Sequence, residues 1–236
     1  DLSKKQLNSH YVLQISFAEF EMLLRDKFEK RIKLVNHRKI CDFKPALGYL
    51  FEERIKNYEF WAFGDNDLMF GNLDKLLPKL LEDFDVLTFH NKWISGPLTI
   101  FRNNKEVNRL FTKSKDIEKV FLDKEMLHFT ECGSKYPELV KGLDILKSNE
   151  GYYLNEDFFY VIKNAERNGE IRFFQNHMIK ESILLKDEII YNNGDLTING
   201  KELIHYHFIT EKKYFRFKFK KQSKLSTNYI INHVGF

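Results

Sequence analysis

Apolar and polar positions along this chain fall into two periodicities, and the switches between them set the expected elements. Tyr11–Phe17 (YVLQISF) has the short apolar pattern of a strand, and Ala18–Lys30 then spaces Phe20, Leu23, Leu24 and Phe28 along one helical face. Ile32–Val35 suits a strand or a turn. Pro45–Asn57 returns to helical spacing with Leu47, Leu50, Phe51 and Ile55, and Pro45 suits a first helical turn. The aromatic run Tyr58–Phe63 is a buried strand, and a helix-like segment follows the acidic residues after it. Asn72–Glu82 is helical with a break or kink at Pro78. Asp85–Phe89 and Leu98–Phe101 are short strands, and Glu106–Lys113 and Tyr136–Leu146 are helices. Asn155–Asn168 is a further helix, opening with Glu156 and Asp157 at its positive end. The last third turns to strands at Ile171–Phe174, Ile189–Tyr191, Leu196–Ile198 and Leu203–Phe208. Asn193-Gly194 and Asn199-Gly200 supply hairpin turns there.

Strands alternating with helices in the first half predict an α/β fold, a mixed or parallel sheet flanked by helices with a strand-rich C-terminal part. No repeat, low-complexity tract or Pro/Gly-rich linker divides the 236 residues, so a single domain over 1–236 is expected. Nucleotide-binding α/β domains open with a strand whose following loop meets the nucleotide. Only one weak strand precedes the Pro45 helix, so an opening βα unit is missing from this pattern.

Composition narrows the class only a little. Charges are mixed, with a formal net of +4 concentrated near the C-terminus, which does not point to a nucleic-acid partner. The two cysteines, Cys41 and Cys132, stand in no CxxC or Cys/His cluster, so neither a zinc site nor a disulfide framework is expected. No apolar run is long enough to span a membrane and no signal peptide precedes Asp1, so a cytoplasmic location is expected. Lys212–Lys224 alternates Phe215, Phe217 and Phe219 with Arg216, Lys218 and Lys220. The plain reading is an edge strand protected by charge. Peripheral attachment to an anionic membrane comes second, and single-stranded RNA third.

The candidate chemistry starts where the aromatic strand stops, at Gly64-Asp65-Asn66-Asp67. In an extended segment, residues two apart point the same way, so both carboxylates can face one point. Paired hard oxygen ligands suit Mg²⁺ or Mn²⁺, ions that commonly also hold phosphates. The alternative is a loop in which Asp65 caps a helix and Asp67 is solvated. His205 and His207 share one face of a predicted strand and extend the metal-ligand set, imidazole being the better match to Mn²⁺. Asp42 and Lys44 precede the Pro45 helix as a cap and a surface charge, or as nucleotide and phosphate contacts. Gly96 allows close approach to the backbone, and Arg102 could meet an anionic group, although ordinary turn chemistry also explains that loop. His90 and Trp93 suit a sugar-binding wall or a partial core. Glu156 and Asp157 are first-turn helix acids, or one of them is a general base for an acceptor hydroxyl.

Three blocks together, ICDFKPALGYLFEE, YEFWAFGDNDLMFGNL and SGPLTIFRN, resemble bacterial glycosyltransferase-like proteins of capsule and surface-polysaccharide gene clusters. The resemblance covers Val35–Asn103 and, more loosely, the segment around His207. It implies a GT-A-like fold in which Asp65 and Asp67 form the D-x-D that binds Mn²⁺ or Mg²⁺ and, through it, the diphosphate of a nucleotide-sugar. It implies nucleotide contact at Asp42 and Lys44, and a late metal ligand at His207. A glycan or lipid-linked glycan acceptor follows from the same resemblance. The rivals are another metal-dependent nucleotidyl or phosphate-ester enzyme, and a non-catalytic carbohydrate- or membrane-binding relative.

Overall fold

The computed structural model of the chain describes residues 4–7, 10–147, 152–182, 187–209 and 228–231. The chain opens as an antiparallel hairpin, β1 (Lys4–Leu7) with β2 (His10–Leu13), where the pattern predicted one strand reaching Phe17. Ser16 explains the early stop. It caps the helix Phe17–Phe28 in a capping box, its hydroxyl accepting from Glu19 N while the Glu19 carboxylate accepts from Ser16 N.

The helix expected over Pro45–Asn57 is assembled from shorter pieces. His37–Ala46 winds as a 3-10 helix with Pro45 inside it, and only Leu47–Leu50 and Glu52–Ile55 are α-helical. The tight winding carries Lys39 and Asp42 into the interior, where Nζ and Oδ2 pair at 3.0 Å with both side chains buried. Gly48 lies against the Trp61 indole; a Cβ there would come within 2.4 Å of it.

The central sheet contains β3 (Phe60–Gly64), β5 (Val86–Thr88), β6 (Leu98–Arg102) and β7 (Phe173–Gln175) in the order β3-β6-β5-β7; β4 (Leu68–Phe70) belongs to a neighbouring sheet. β6 runs antiparallel to both β3 and β5, and β5 is parallel to β7. Strand alternation sends Trp61, Phe63, Val86 and Phe101 to one face, against Phe20, Leu24 and the helix Phe158–Arg167. It sends Leu87, Leu98 and Ile100 to the other face, under the helices Leu73–Leu76 and Pro78–Asp83. Pro78 starts the second of these two helices, as its lost N–H predicts. The sheet is therefore mixed and flanked by helices on both sides.

β3, β5 and β7 point the same way, so their carboxyl ends share one edge of the molecule. Beyond that edge lies a three-stranded sheet, β4-β12-β8, built from β8 (Ile179–Lys180), β12 (His205–His207) and β4. β4 stands between the aspartates and the helices Leu73–Leu76 and Pro78–Asp83, which lie where the helix over Asn72–Glu82 was expected. A third sheet, β11-β10-β9-β13, comprises β9 (Ile189–Asn192), β10 (Asp195–Ile198), β11 (Lys201–Glu202) and β13 (Asn228–Ile231). Its first two hairpins turn at the predicted Asn-Gly pairs. Asn193, Gly194, Asn199 and Gly200 all have positive φ, the backbone that two-residue primed turns require.

Other helices are shorter than expected for local reasons. Gly142, at φ 98°, ends the helix Tyr136–Val140 well before Leu146. Asp157 caps the helix Phe158–Arg167, so that helix starts after Asp157. Among the described residues no helix is long and apolar enough to cross a membrane. The basic-aromatic segment Lys212–Lys224 lies outside the described residues.

Candidate functional site

Asp65 and Asp67 flank a bend that joins two sheets. Asp65 N donates to Pro97 O at 2.9 Å, extending the β3–β6 ladder by one rung. Two residues on, Asp67 O accepts from Phe208 N at 3.1 Å, extending the β4–β12 ladder. Each aspartate is thus fixed by a different sheet, and the backbone between them is bent where the sequence suggested an extended segment.

β12 delivers His207 to the same place. Its Nε2 lies 3.3 Å from Asp67 Oδ1 and 3.8 Å from Asp65 Oδ2. One ligand atom from each of the three residues lies within 4.8 Å of the other two. Glu181, just after β8, meets His207 from behind, with Oε1 3.2 Å from Nδ1. That hydrogen bond and the nearby imidazole charge hold the Glu181 carboxyl below the usual carboxylate range. A carboxylate on one ring nitrogen fixes the ring and turns the other nitrogen toward Asp65 and Asp67.

Lys44 completes this corner. Its ammonium donates to Asp65 Oδ1 at 2.7 Å and to Gly96 O at 2.9 Å. Asp65, Lys44, Gly96 and His207 line a pocket of about 210 Å³, whose remaining wall includes Glu131 and Tyr136. The pocket opens at the carboxyl end of β3, beside the turn that enters β6, and carboxyl strand ends are where ligands of open α/β sheets usually sit.

Residues 3–236 match the profile of the family of unknown function DUF6625. The chain belongs to that family. No curated protein and no solved structure matches the chain.

In this DUF6625 chain the other sequence-predicted site residues are placed away from that corner or are already engaged. His205 is buried one pleat deeper in β12, a step of about 6.6 Å along a strand. Neither of its ring nitrogens has a hydrogen-bond partner among the described residues, and it is outside the Asp65–Asp67–His207 group. Burial lowers its imidazole to about 4. Asp42 touches the pocket, but its carboxylate already accepts from Lys39 Nζ, Leu127 N (2.7 Å) and Phe129 N (2.9 Å). It ties the 3-10 helix to the loop that follows Leu127, a structural task in place of the expected nucleotide contact.

Arg102 sits at the other end of the sheet. It pairs across from Phe60 while Leu98 pairs with Gly64, so the full length of β6 separates it from Asp65. Its guanidinium donates to Asp85 and Leu81 O and lies over the Phe60 ring. Asp157 and Glu156 are also outside the pocket. Asp157 is buried, capping its helix through Tyr160 N and pairing with Lys135 Nζ at 2.7 Å. Glu156 accepts from Lys115 N and pairs with Lys115 Nζ. Neither acid is positioned to reach an acceptor in the pocket. His90 and Trp93 stack at 4.0 Å, and Trp93 meets the Tyr136 ring edge-on at 5.0 Å, beside the pocket wall.

Glu131, Tyr136, His128 and Glu181 were not legible in the sequence. They lie on loops or at element ends with no periodicity, and no motif spacing connects them.

Proposed function

We propose that this chain is a metal-dependent glycosyltransferase with a GT-A-like fold, moving a hexosyl group from a nucleotide-sugar to a hydroxyl of a bacterial surface glycan such as capsule, O-antigen or exopolysaccharide. The observation that carries this reading is the meeting of Asp65, Asp67 and His207 at the pocket edge. Two carboxylates and an imidazole fit a divalent ion in both chemistry and spacing. Ligands on an octahedral ion with bonds of about 2.1 Å stand roughly 3–4.2 Å apart, so the group needs only small side-chain adjustment. The imidazole favours Mn²⁺ over Mg²⁺.

When bound, the ion supplies the positive charge that holds a diphosphate and offsets charge developing on it as it leaves. The chain's own residues prepare that step. Glu181 orients His207, and the two ladders hold the aspartates from opposite sides. Lys44 stands next to the metal position as a second cation for phosphate oxygens. A nucleotide-sugar donor and a lipid-linked glycan acceptor place this chemistry at the cytoplasmic face of the membrane.

Calorimetry with UDP-, GDP-, CMP- and dTDP-linked sugars, with and without Mn²⁺, tests the reading. At least one donor is expected to bind only with metal, and the double variant Asp65→Asn, Asp67→Asn is expected to weaken it at least 100-fold. Absence of donor binding to the wild type in the presence of Mn²⁺ would sink the proposal. Donor consumption that proceeds equally without any acceptor would favour a phosphate-ester enzyme.

A further inference from the structure

The wall facing the metal corner carries a set of groups that ion binding does not use. It is built from the loop Leu127–Lys135, which turns sharply enough to place His128 (φ 55°) and Ser134 (φ 69°) in the left-handed region. Such conformations cost on the order of 1–3 kcal/mol each and persist only where surroundings impose them. Here His128 O accepts from both Glu131 N (3.2 Å) and Gly133 N (3.0 Å). Below, Thr130 Oγ1 donates to Cys41 O and Phe129 N to Asp42. The loop is therefore held rigidly against the 3-10 helix that carries Lys44.

Its product is one aimed carboxylate. Glu131 Oε2 accepts from the Tyr136 hydroxyl, and the same hydroxyl oxygen lies 3.1 Å from His128 Nδ1. A phenol has one proton to give, so with that proton on Glu131 the His128 Nδ1–H donates to Tyr136. Glu131 Oε1 faces Gly96, where a Cβ would come within 2.4 Å of it. Gly96 O in turn takes the second hydrogen bond of Lys44.

The pocket's carboxylates divide by what surrounds them. Asp42 is saturated by three donors, and Glu181 is committed to His207. Asp65 belongs to the metal group. Glu131 is different: burial raises its carboxyl above the ordinary value, against the lowering effects of Tyr136, His128 and Lys44, while the charge of Glu181 adds to the rise. Burial likewise raises the Tyr136 hydroxyl, which keeps it protonated as a donor. Pairs of acids pushed apart in this way mark acid–base assignments.

We propose that Glu131 is the general base of this site, taking the proton from the acceptor hydroxyl, with Tyr136 and His128 as the positioning residues that hold it. The inference rests on the glycosyltransferase reading. In the step, the acceptor O–H bond breaks toward Glu131 and the acceptor oxygen uses its electron pair to form a bond to the anomeric carbon. The bond from that carbon to the diphosphate oxygen of the nucleotide-sugar breaks, and its electron pair leaves with the diphosphate. A single displacement of this kind inverts the anomeric centre. Tyr136 lines the pocket next to the base, and Trp93 packs against its ring.

The test measures nucleoside diphosphate release from UDP-, GDP- and dTDP-linked hexoses with Mn²⁺ and a panel of nitrophenyl glycosides as acceptors, between pH 5 and 9. Wild type, Glu131→Gln and Tyr136→Phe are compared, with Mn²⁺ and nucleoside diphosphate affinities measured in parallel. Glu131→Gln is expected to lower kcat by about 10²–10⁴-fold, with both affinities within about threefold of wild type. Tyr136→Phe removes a donor to the carboxylate and is expected to move the acidic limb of the pH profile to higher pH. This second variant decides the matter if Glu131→Gln does not fold. A Glu131→Gln variant keeping more than a tenth of wild-type kcat, an unmoved acidic limb in Tyr136→Phe, or a product with retained configuration overturns the assignment of Glu131 alone. A wild type that binds no donor and releases no diphosphate overturns the glycosyltransferase reading and this assignment with it.

Discussion

Asp42 gives the sharpest test of structure against ligand contact, because its carboxylate is both buried and fully engaged. Oδ2 accepts from Lys39 Nζ at 3.0 Å and Leu127 N at 2.7 Å, and Oδ1 accepts from Phe129 N at 2.9 Å. Lys39 is itself buried, and its other partners are the carbonyls of Val120 and Glu125. Asp42→Asn keeps the shape but offers one acceptor where two were used. With the amide oxygen in the Oδ2 position, its NH₂ confronts Phe129 N–H. In the flipped orientation it confronts both Leu127 N–H and the ammonium. Either way the buried Lys39 charge loses its counter-ion. Breaking a buried pair from one side costs about 3–5 kcal/mol. For a chain of this size that corresponds to a fall in Tm of about 6–20 °C. Thermal unfolding followed by circular dichroism, in metal-free buffer at a fixed scan rate, is the assay, with the exposed Asp26→Asn as control. A Tm within 2 °C of wild type would refute the structural role and restore Asp42 as a candidate ligand contact.

Three further outcomes follow from the geometry. Lys44→Met frees Asp65 Oδ1 from a charge-assisted hydrogen bond worth about 1.5 kcal/mol, so Mn²⁺ alone should bind about tenfold tighter while nucleoside diphosphate binds more weakly in the presence of Mn²⁺. Calorimetry reads both, and an unchanged Mn²⁺ affinity rejects the hold of the ammonium on Asp65. Gly96→Ala drives a methyl group to 2.4 Å from Glu131 Oε1 and should cost about 1–3 kcal/mol in urea unfolding; a neutral result would mean that Glu131 moves freely. His205 is lowered by burial from 6.5 to about 4, so the unfolded chain binds more protons between those values. Stability is therefore intact above about pH 6.5 and falls as the pH drops toward 4, by up to about 3 kcal/mol for this group. His205→Leu should flatten that slope in metal-free buffer, leaving the share of His90, which burial also lowers to about 4. An undiminished slope in the variant would contradict the burial account.

Local chemistry was legible in the sequence wherever it did not depend on distant partners. The Asn-Gly turns, the Pro78 break and the aromatic strand into Asp65 are decided by backbone preference and alternation, and they stand as expected. The helix expected over Pro45–Asn57 is present from Leu47 to Ile55 with a break at Phe51, and the 3-10 winding of His37–Ala46 before it, which buries Lys39 and Asp42, was not foreseen. The site shows the same division. Asp65, Asp67 and His207 could be proposed from residue type and position, although a bend, not the expected extended register, turns the two aspartates together. Arg102, Asp157 and Glu156 looked like site residues because a charge near a motif or helix start carries no record of its partner. In the fold those partners are Asp85, Lys135 and Lys115. Glu131 was silent for the opposite reason. Its importance comes from Tyr136, His128 and Gly96, which meet only through loop geometry.

The bend at Asp65–Asp67 also fixes when the site can come into being. His207 reaches Asp67 across about 140 residues of chain, and closing a loop of that length costs an unfolded chain on the order of 4 kcal/mol in entropy. That closure cost opposes early assembly of the three ligands. They converge only after β3–β6 and β4–β12 have both zipped and the two sheets share the bend. During synthesis the acidic pair leaves the ribosome long before the histidine that completes the set. A growing chain therefore cannot bring Asp65, Asp67 and His207 together until nearly all of the described fold has formed, and their meeting becomes a readout of completed folding.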